Sequence, residues 1–154
     1  MAVKPIPDGY HSVTPYLILH DATAALEFYK KAFGAVELLR MPAPGGRIGH
    51  AEIRIGDSPV MLADENLEIN ARSARTIGGS PISLMVYVPN VDAVVAQAVA
   101  AGGKLVRPVA DQFYGDRTGG VDDPFGFHWY IATHVEDVSP DELEKRAAKA
   151  MGGG

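Results

Sequence analysis

Cysteine is missing altogether from this chain of 154 residues. Its absence excludes disulfides, thiolate-ligated zinc, iron–sulfur clusters and thiol nucleophiles. Basic charge is scarce as well. Lys and Arg number 14 against 19 Asp and Glu, a formal charge of −5. With no Lys/Arg cluster to neutralise phosphates, a nucleic-acid partner is not expected. Long hydrophobic runs are also lacking. The run ISLMVYV at 82–88 falls far below the roughly 20 apolar residues that span a bilayer. The opening MAVKPIPDGY has no apolar core of a signal peptide. A cytoplasmic protein without membrane contact is therefore the expectation. The length and the 47% apolar content suit one globular domain with a real core. Present in quantity are 17 Gly and 11 Pro, which demand many turns.

The turns punctuate a pattern written twice. An apolar strand at 16–19 runs into Asp21, an amphipathic stretch at 22–33 and then Gly34. A second strand at 84–88 runs into Asn90, a stretch at 91–101 and then Gly102. Asp21 and Asn90 are suitable helix N-caps, and Gly34 and Gly102 suit the left-handed position after a helix. Ala25, Leu26, Tyr29 and Phe33 line one face of the first helix; Val91, Val94, Val95 and Ala98 line one face of the second. Each helix is followed by a strand (35–41; 104–109), a polar loop and a hairpin. The hairpins turn at Gly56-Asp57-Ser58 and at Asp123-Pro124-Phe125-Gly126, with Ser58 and Gly126 68 positions apart, as are Gly34 and Gly102. Each half thus reads β-α-β-β-β. The expected organisation is one domain, with module 1 at about 12–64, a polar linker at about 65–81 and module 2 at about 82–135. A capping box, Ser139-Pro140-Asp141-Glu142, opens a C-terminal helix at about 139–151.

The chain resembles the vicinal oxygen chelate superfamily of glyoxalase I, extradiol dioxygenases and bleomycin-resistance proteins, and within it the PhnB-like branch. The motifs are Thr14-Pro15-Tyr16-Leu17, Leu26-Glu27-Phe28-Tyr29 with Ala32-Phe33-Gly34-Ala35, Gly49-His50-Ala51-Glu52-Ile53, and Gly115-Asp116-Arg117 leading to Asp123-Pro124-Phe125-Gly126, Trp129 and Ala132-Thr133-His134. The resemblance implies an α+β fold of two tandem βαβββ modules, curled mixed sheets around a central cavity with helices outside. Whether the two modules pair within one chain or swap between subunits stays open.

Strand side chains alternate between faces. On that basis Thr14, Tyr16, Ile18 and His20 face the cavity from the first strand, and His50, Glu52 and Arg54 from the third. Val60, Leu62 and Asp64 are expected there from the fourth. The second module offers Ser83, Met85 and Tyr87, then Asp116 and Thr118, then His128, Tyr130, Ala132 and His134. Trp129 belongs to the core behind its strand. Tyr16, Tyr87, Tyr130 and Met85 suit a planar organic ligand, or equally ordinary packing.

Metal-dependent relatives resembling glyoxalase I hold a divalent ion with four His or Glu ligands. Their positions fall here on Thr14, Leu62, Ser83 and Tyr130, none of them a His or a carboxylate. No cofactor is expected on that count. The alternative is one divalent ion at a relocated site built from His50 and Glu52, which share a strand face, with His128 or Asp116 joining them. The plainer reading of His50 and Glu52 is a polar network with Arg54 or Arg117. For acid–base chemistry the best candidates are His50, Glu52 and His128; His20 and His134 read as structural, and Asp116-Arg117 as a pair that pins a loop. No Gly-x-Ser-x-Gly elbow occurs, and neither Gly45-Gly46-Arg47 nor Gly78-Gly79-Ser80 has the strand-to-helix setting of a phosphate loop.

Two functions follow. One is a metal-free binding protein that sequesters an aromatic or cationic small molecule through Tyr16, His50, Glu52, Met85, Tyr87, Asp116, His128 and Tyr130. Its resemblance to the bleomycin-resistance proteins implies a homodimer. The other is a metal-dependent lyase, isomerase or dioxygenase with the relocated site.

Overall fold

The computed structural model describes residues 2–152. The chain runs β1 (Tyr16–Leu19), α1 (Ala22–Phe33), β2 (Val36–Ala43), β3 (Arg47–Ile55), β4 (Ser58–Asp64), α2 (Ala74–Ile77), β5 (Leu84–Tyr87), α3 (Val91–Ala100), β6 (Lys104–Asp111), β7 (Asp116–Asp122), β8 (His128–His134) and α4 (Pro140–Met151). Two four-stranded mixed sheets result, ordered β1-β4-β3-β2 and β5-β8-β7-β6. In each, the first strand pairs parallel to the last and the remaining neighbours are antiparallel. The fold is α+β, built from two tandem βαβββ modules. Among the described residues no helix is long and apolar enough to cross a membrane.

Local chemistry starts and stops the helices. Asp21 accepts from Ala24 N at 3.0 Å and Asn90 from Ala93 N at 3.1 Å, occupying amides that the first helical turn leaves free. Each helix is also tied to the last strand of its own module. Asp64 accepts from Ala22 N at 2.8 Å, and Thr133 Oγ1 accepts from Val91 N at 2.9 Å. Gly34 closes α1 with φ 66°, a left-handed backbone that a Cβ would strain.

Sheet parity decides what lies inside. Leu17 and Leu19 of β1, Ala51, Ile53 and Ile55 of β3, and Val60 and Leu62 of β4 are buried toward the helices. The expectation that Val60, Leu62 and Asp64 face a cavity is therefore corrected. The β3–β4 turn has two residues, pairing Ile55 with Ser58, so Ile53 stands beside Val60 and Ala51 beside Leu62. Directly paired residues share a face. Core-facing Ile53 and Ile55 therefore bring Val60 and Leu62 to the same side. Asp64 turns there too, where its second oxygen accepts from Ile48 N at 2.7 Å.

The helix-facing sides of both modules merge into one core. Helix α1 packs on α3, and Gln97 Nε2 donates to Ala32 O at 3.0 Å. Phe33 and Tyr29 approach Trp129 with ring centroids 4.5 and 5.4 Å apart. At the centre of this junction lies Asp123. Its Oδ2 accepts from Tyr29 Oη at 2.6 Å and Trp129 Nε1 at 2.9 Å, while its Oδ1 accepts from Phe125 N and Phe127 N, both at 2.9 Å. The curled sheets do not close on each other within the chain. Their contacts across modules come from the helix side, and the opposite face of each sheet stays open.

Candidate functional site

The open face of the first sheet carries Tyr16 and Ile18 from β1, His50, Glu52 and Arg54 from β3, and Met61 and Ala63 from β4. Tyr16, Met61 and Glu52 stand in one row. His50 belongs to the next row, where alternation sets it beside Ala63 and Ile18. The alanine in between is small enough for the Tyr16 ring to lean across β4. Tyr16 Oη lies 2.7 Å from His50 Nδ1, and His50 Nε2 lies 2.8 Å from Glu52 Oε2. Glu52 is 8% exposed while Tyr16 is 46% exposed, so the chain of groups runs from a sheltered carboxylate to a phenol in solvent. Desolvation raises the Tyr16 pKa above its ordinary value. Tyr16, Ile18 and Ala63 also line a cleft of about 740 Å³ bounded by Arg47, Glu65 and Leu67, within the usual size of small-molecule sites.

The open face of the second sheet carries Met85 and Tyr87, Asp116 and Thr118, and His128, Tyr130, Ala132 and His134, as alternation predicts. Tyr87 Oη donates to Asp116 Oδ2 at 2.8 Å, and His134 Nδ1 lies 2.8 Å from Asp116 Oδ1. The other His134 nitrogen lies 2.7 Å from Asp137. Facing a carboxylate at both nitrogens favours the imidazolium, so hydrogen bonding to Asp116 and then Asp137 raises the His134 pKa. The bond to Asp116, ahead of desolvation, raises that of Tyr87, because an ionised phenol would lose the bond and repel the carboxylate. His128 Nδ1 pairs with Asp122 at 2.7 Å and its ring meets Tyr130 edge-on at 4.4 Å. Arg107 lies over Tyr130, 5.7 Å from the ring centroid. Gly120 makes this crowding possible, since a Cβ there would meet both Arg107 Cβ and His128 Cε1 at 3.0 Å.

The expected ligand set is thus brought together as two groups. Tyr16, His50 and Glu52 share one face; Met85, Tyr87, Asp116, His128 and Tyr130 share the other. His50 and Glu52 are not joined by His128 or Asp116 within one chain, and among the described residues no cluster of three His, Asp or Glu could hold a metal ion. Of the four superfamily ligand positions, Thr14 and Ser83 lie just before β1 and β5, Leu62 faces the helices, and Tyr130 lies on the open face. The open neighbour of Leu62 is Met61, again no ligand for a hard divalent ion.

Several expectations change partner. His50 and Glu52 join Tyr16, not Arg54 or Arg117. Arg117 instead binds Asp92 at 2.8 Å and Asp111 at 3.1 Å, and Asp116 turns away from it to Tyr87 and His134. His20 leaves the cavity set, packing 5.6 Å from Phe125 at the module junction. Sequence reasoning missed Met61 and Arg107. The two-residue turn at Gly56-Asp57 was the available signal for Met61; the bulged register of β6 left none for Arg107.

Comparison with known proteins gives the relationship. Residues 10–131 match the profile of the Glyoxalase/Bleomycin resistance protein/Dioxygenase superfamily. An uncharacterized protein of Mycobacterium tuberculosis (strain H37Rv) is 40% identical over 136 residues, covering 86% of this chain and 80% of the relative. Among solved structures, TioX from Micromonospora sp. ML1 is 26% identical with a TM-score of 0.64, covering 84% of this chain and all of that one. The PhnB protein from Bacillus cereus, 19% identical with a TM-score of 0.63 over 80% of this chain and 99% of its own, shares the fold.

Proposed function

The chain belongs to the glyoxalase/bleomycin resistance protein/dioxygenase superfamily, and from that premise we propose that it is a metal-free protein that binds a planar aromatic or cationic organic compound in the cytoplasm. The observation that carries this reading is the composition of the two open faces. Tyr16, Met85 and Tyr87 are 46, 47 and 60% exposed, more aromatic and thioether surface than a sheet face needs unless something covers it. Behind them stand carboxylates at Glu52 and Asp116 that suit a cation, whereas no superfamily ligand position carries a His or a carboxylate. The cover is a second copy of the chain, with the first face of one protomer opposing the second face of its partner and the compound held between them.

Three measurements test this together. Sedimentation velocity should give a dimer. A planar cationic dye, acridine orange, should bind saturably and raise the melting temperature. Binding at 100 times Kd adds about 2.7 kcal/mol to the folded state, which is about 5–11 °C for a domain of this size. Melting should ignore both EDTA and added Zn²⁺, Ni²⁺ or Mg²⁺. A stoichiometric divalent ion in protein purified without a His tag, lost on His50→Ala, would overturn the metal-free reading. A monomer that binds no dye would overturn the rest.

A further inference from the structure

The groups on the first open face are arranged for more than adhesion. Glu52 is a sheltered carboxylate and accepts only, so the His50 nitrogen 2.8 Å away carries a proton. In the neutral ring that leaves Nδ1 with its lone pair directed at Tyr16 Oη, 2.7 Å away, and the phenol donates to it. Carboxylate, imidazole and hydroxyl then stand in the order that lets the imidazole draw a proton from the hydroxyl while the carboxylate holds its orientation. The outermost oxygen belongs to a half-exposed side chain at the wall of the 740 Å³ cleft. Two residues beyond Glu52 on the same face stands Arg54, which makes no ion pair or hydrogen bond among the described side chains and is exposed. Neighbouring side chains on this face, Leu39 and Met41 from β2 and Met61 and Ala63 from β4, are uncharged. Arg54 does not border that cleft, whereas Arg47 does, so Arg47 is the cation placed for a developing negative charge on a ligand there.

We propose that this face is an acid–base site that removes a proton from an activated carbon of a bound aromatic or carbonyl compound, with Tyr16 as the group that touches the ligand, His50 as the proton acceptor behind it and Glu52 as the residue that positions His50. It rests on the binding reading above for where the ligand sits. The ligand C–H proton passes to Tyr16 Oη as the phenol's own proton moves to His50 Nδ1. The electron pair of the broken C–H bond stays on the ligand, as an enolate facing Arg47 or by expelling a leaving group. The imidazolium, paired with Glu52, then returns its proton to the product or to water. No oxidant, metal or second substrate is consumed.

The test uses 5-nitrobenzisoxazole, a planar aromatic carbon acid. Removal of its C3 proton forms a nitrile, breaks the N–O bond and releases a coloured phenolate. The full-length protein should turn it over saturably and faster than free imidazole at equal concentration. Positioned acid–base groups contribute about 100-fold or more, so Tyr16→Phe and His50→Gln should each lower kcat by about that factor. NMR should place the neutral His50 proton on Nε2 in the wild type, and Glu52→Gln should lower kcat while moving part of that proton to Nδ1, a tautomer change that loss of folded protein would not produce. A wild-type rate no better than imidazole, full activity in Tyr16→Phe, or a neutral ring protonated at Nδ1 would overturn the proposal. Acridine orange binding retained alongside any of these results removes the acid–base role alone. Loss of dye binding and of the dimer removes the binding reading as well.

Discussion

Replacing Asp123 tests whether the two modules are held together by one buried carboxylate. Its two oxygens accept four hydrogen bonds, from Tyr29 Oη, Trp129 Nε1 and the amides of Phe125 and Phe127. Tyr29 is fully buried and Trp129 is 2% exposed, so Asp123→Ala strands two side-chain donors with no route to solvent. Each buried donor left unsatisfied costs about 1–3 kcal/mol. The two amides lie at a slightly more open turn, where water entering the vacated space recovers part of their loss. A total of about 3–5 kcal/mol follows, or a fall in melting temperature of roughly 6–20 °C at about 2–4 °C per kcal/mol. Tyr29→Phe leaves the carboxylate three donors and should cost only about 1–2 kcal/mol. Because Tyr29 and Asp123 are 94 positions apart and sit in different modules, the double variant should show a coupling energy of about 1 kcal/mol or more. The assay is urea unfolding followed by circular dichroism and tyrosine fluorescence. Wild type should unfold in one transition, and Asp123→Ala at a lower midpoint with the two probes separating as the modules uncouple. Single variants both within about 0.5 kcal/mol of wild type, the usual range for inert surface changes, would refute the reasoning.

His134, held between Asp116 and Asp137, titrates above its ordinary value of 6.5. A raised folded pKa gives stability that is full below the unfolded pKa and is lost as pH rises through the folded one. Melting temperature should therefore fall across that window in the wild type, and His134→Gln should flatten the fall; an identical profile for the two proteins would contradict the assignment. Gly120→Ala places a Cβ 3.0 Å from both Arg107 Cβ and His128 Cε1. Overpacking of this kind costs about 1–3 kcal/mol, and dye titration should show weaker binding as Arg107 is pushed off Tyr130. Unchanged melting and binding would show that the second face takes no part.

How much of the site was legible depended on the range of the forces involved. Tyr16, Glu52, Met85 and His128 could be assigned to open faces because alternation along a strand is local and one apolar neighbour on each side reveals it. Leu62 was misplaced because its face is set by the turn that pairs Ile55 with Ser58, not by its own segment, which is apolar on both sides. Partners were harder than faces. His50 with Tyr16 spans an intervening strand and depends on Ala63 being small. Arg117 had Asp92 and Asp111 within reach, and the packing of α3 against β7 brings Asp92 to it while the β6–β7 pairing sets Asp111 opposite it, both over Asp116.

The sequence by itself determined the doubled βαβββ unit, its helix caps and the lack of thiols. These follow from residue type and short-range periodicity, whereas the metal positions at which it carries no His or carboxylate are those the superfamily resemblance implies. Tertiary structure alone decided that α1 and α3 pack together, that Asp123 joins the modules, and that both polar sheet faces are left open. Each of those depends on surfaces many tens of residues apart meeting in space. Burying Tyr29, Phe33 and Trp129 against one another removes the helix sides from water and leaves the polar sheet faces in solvent.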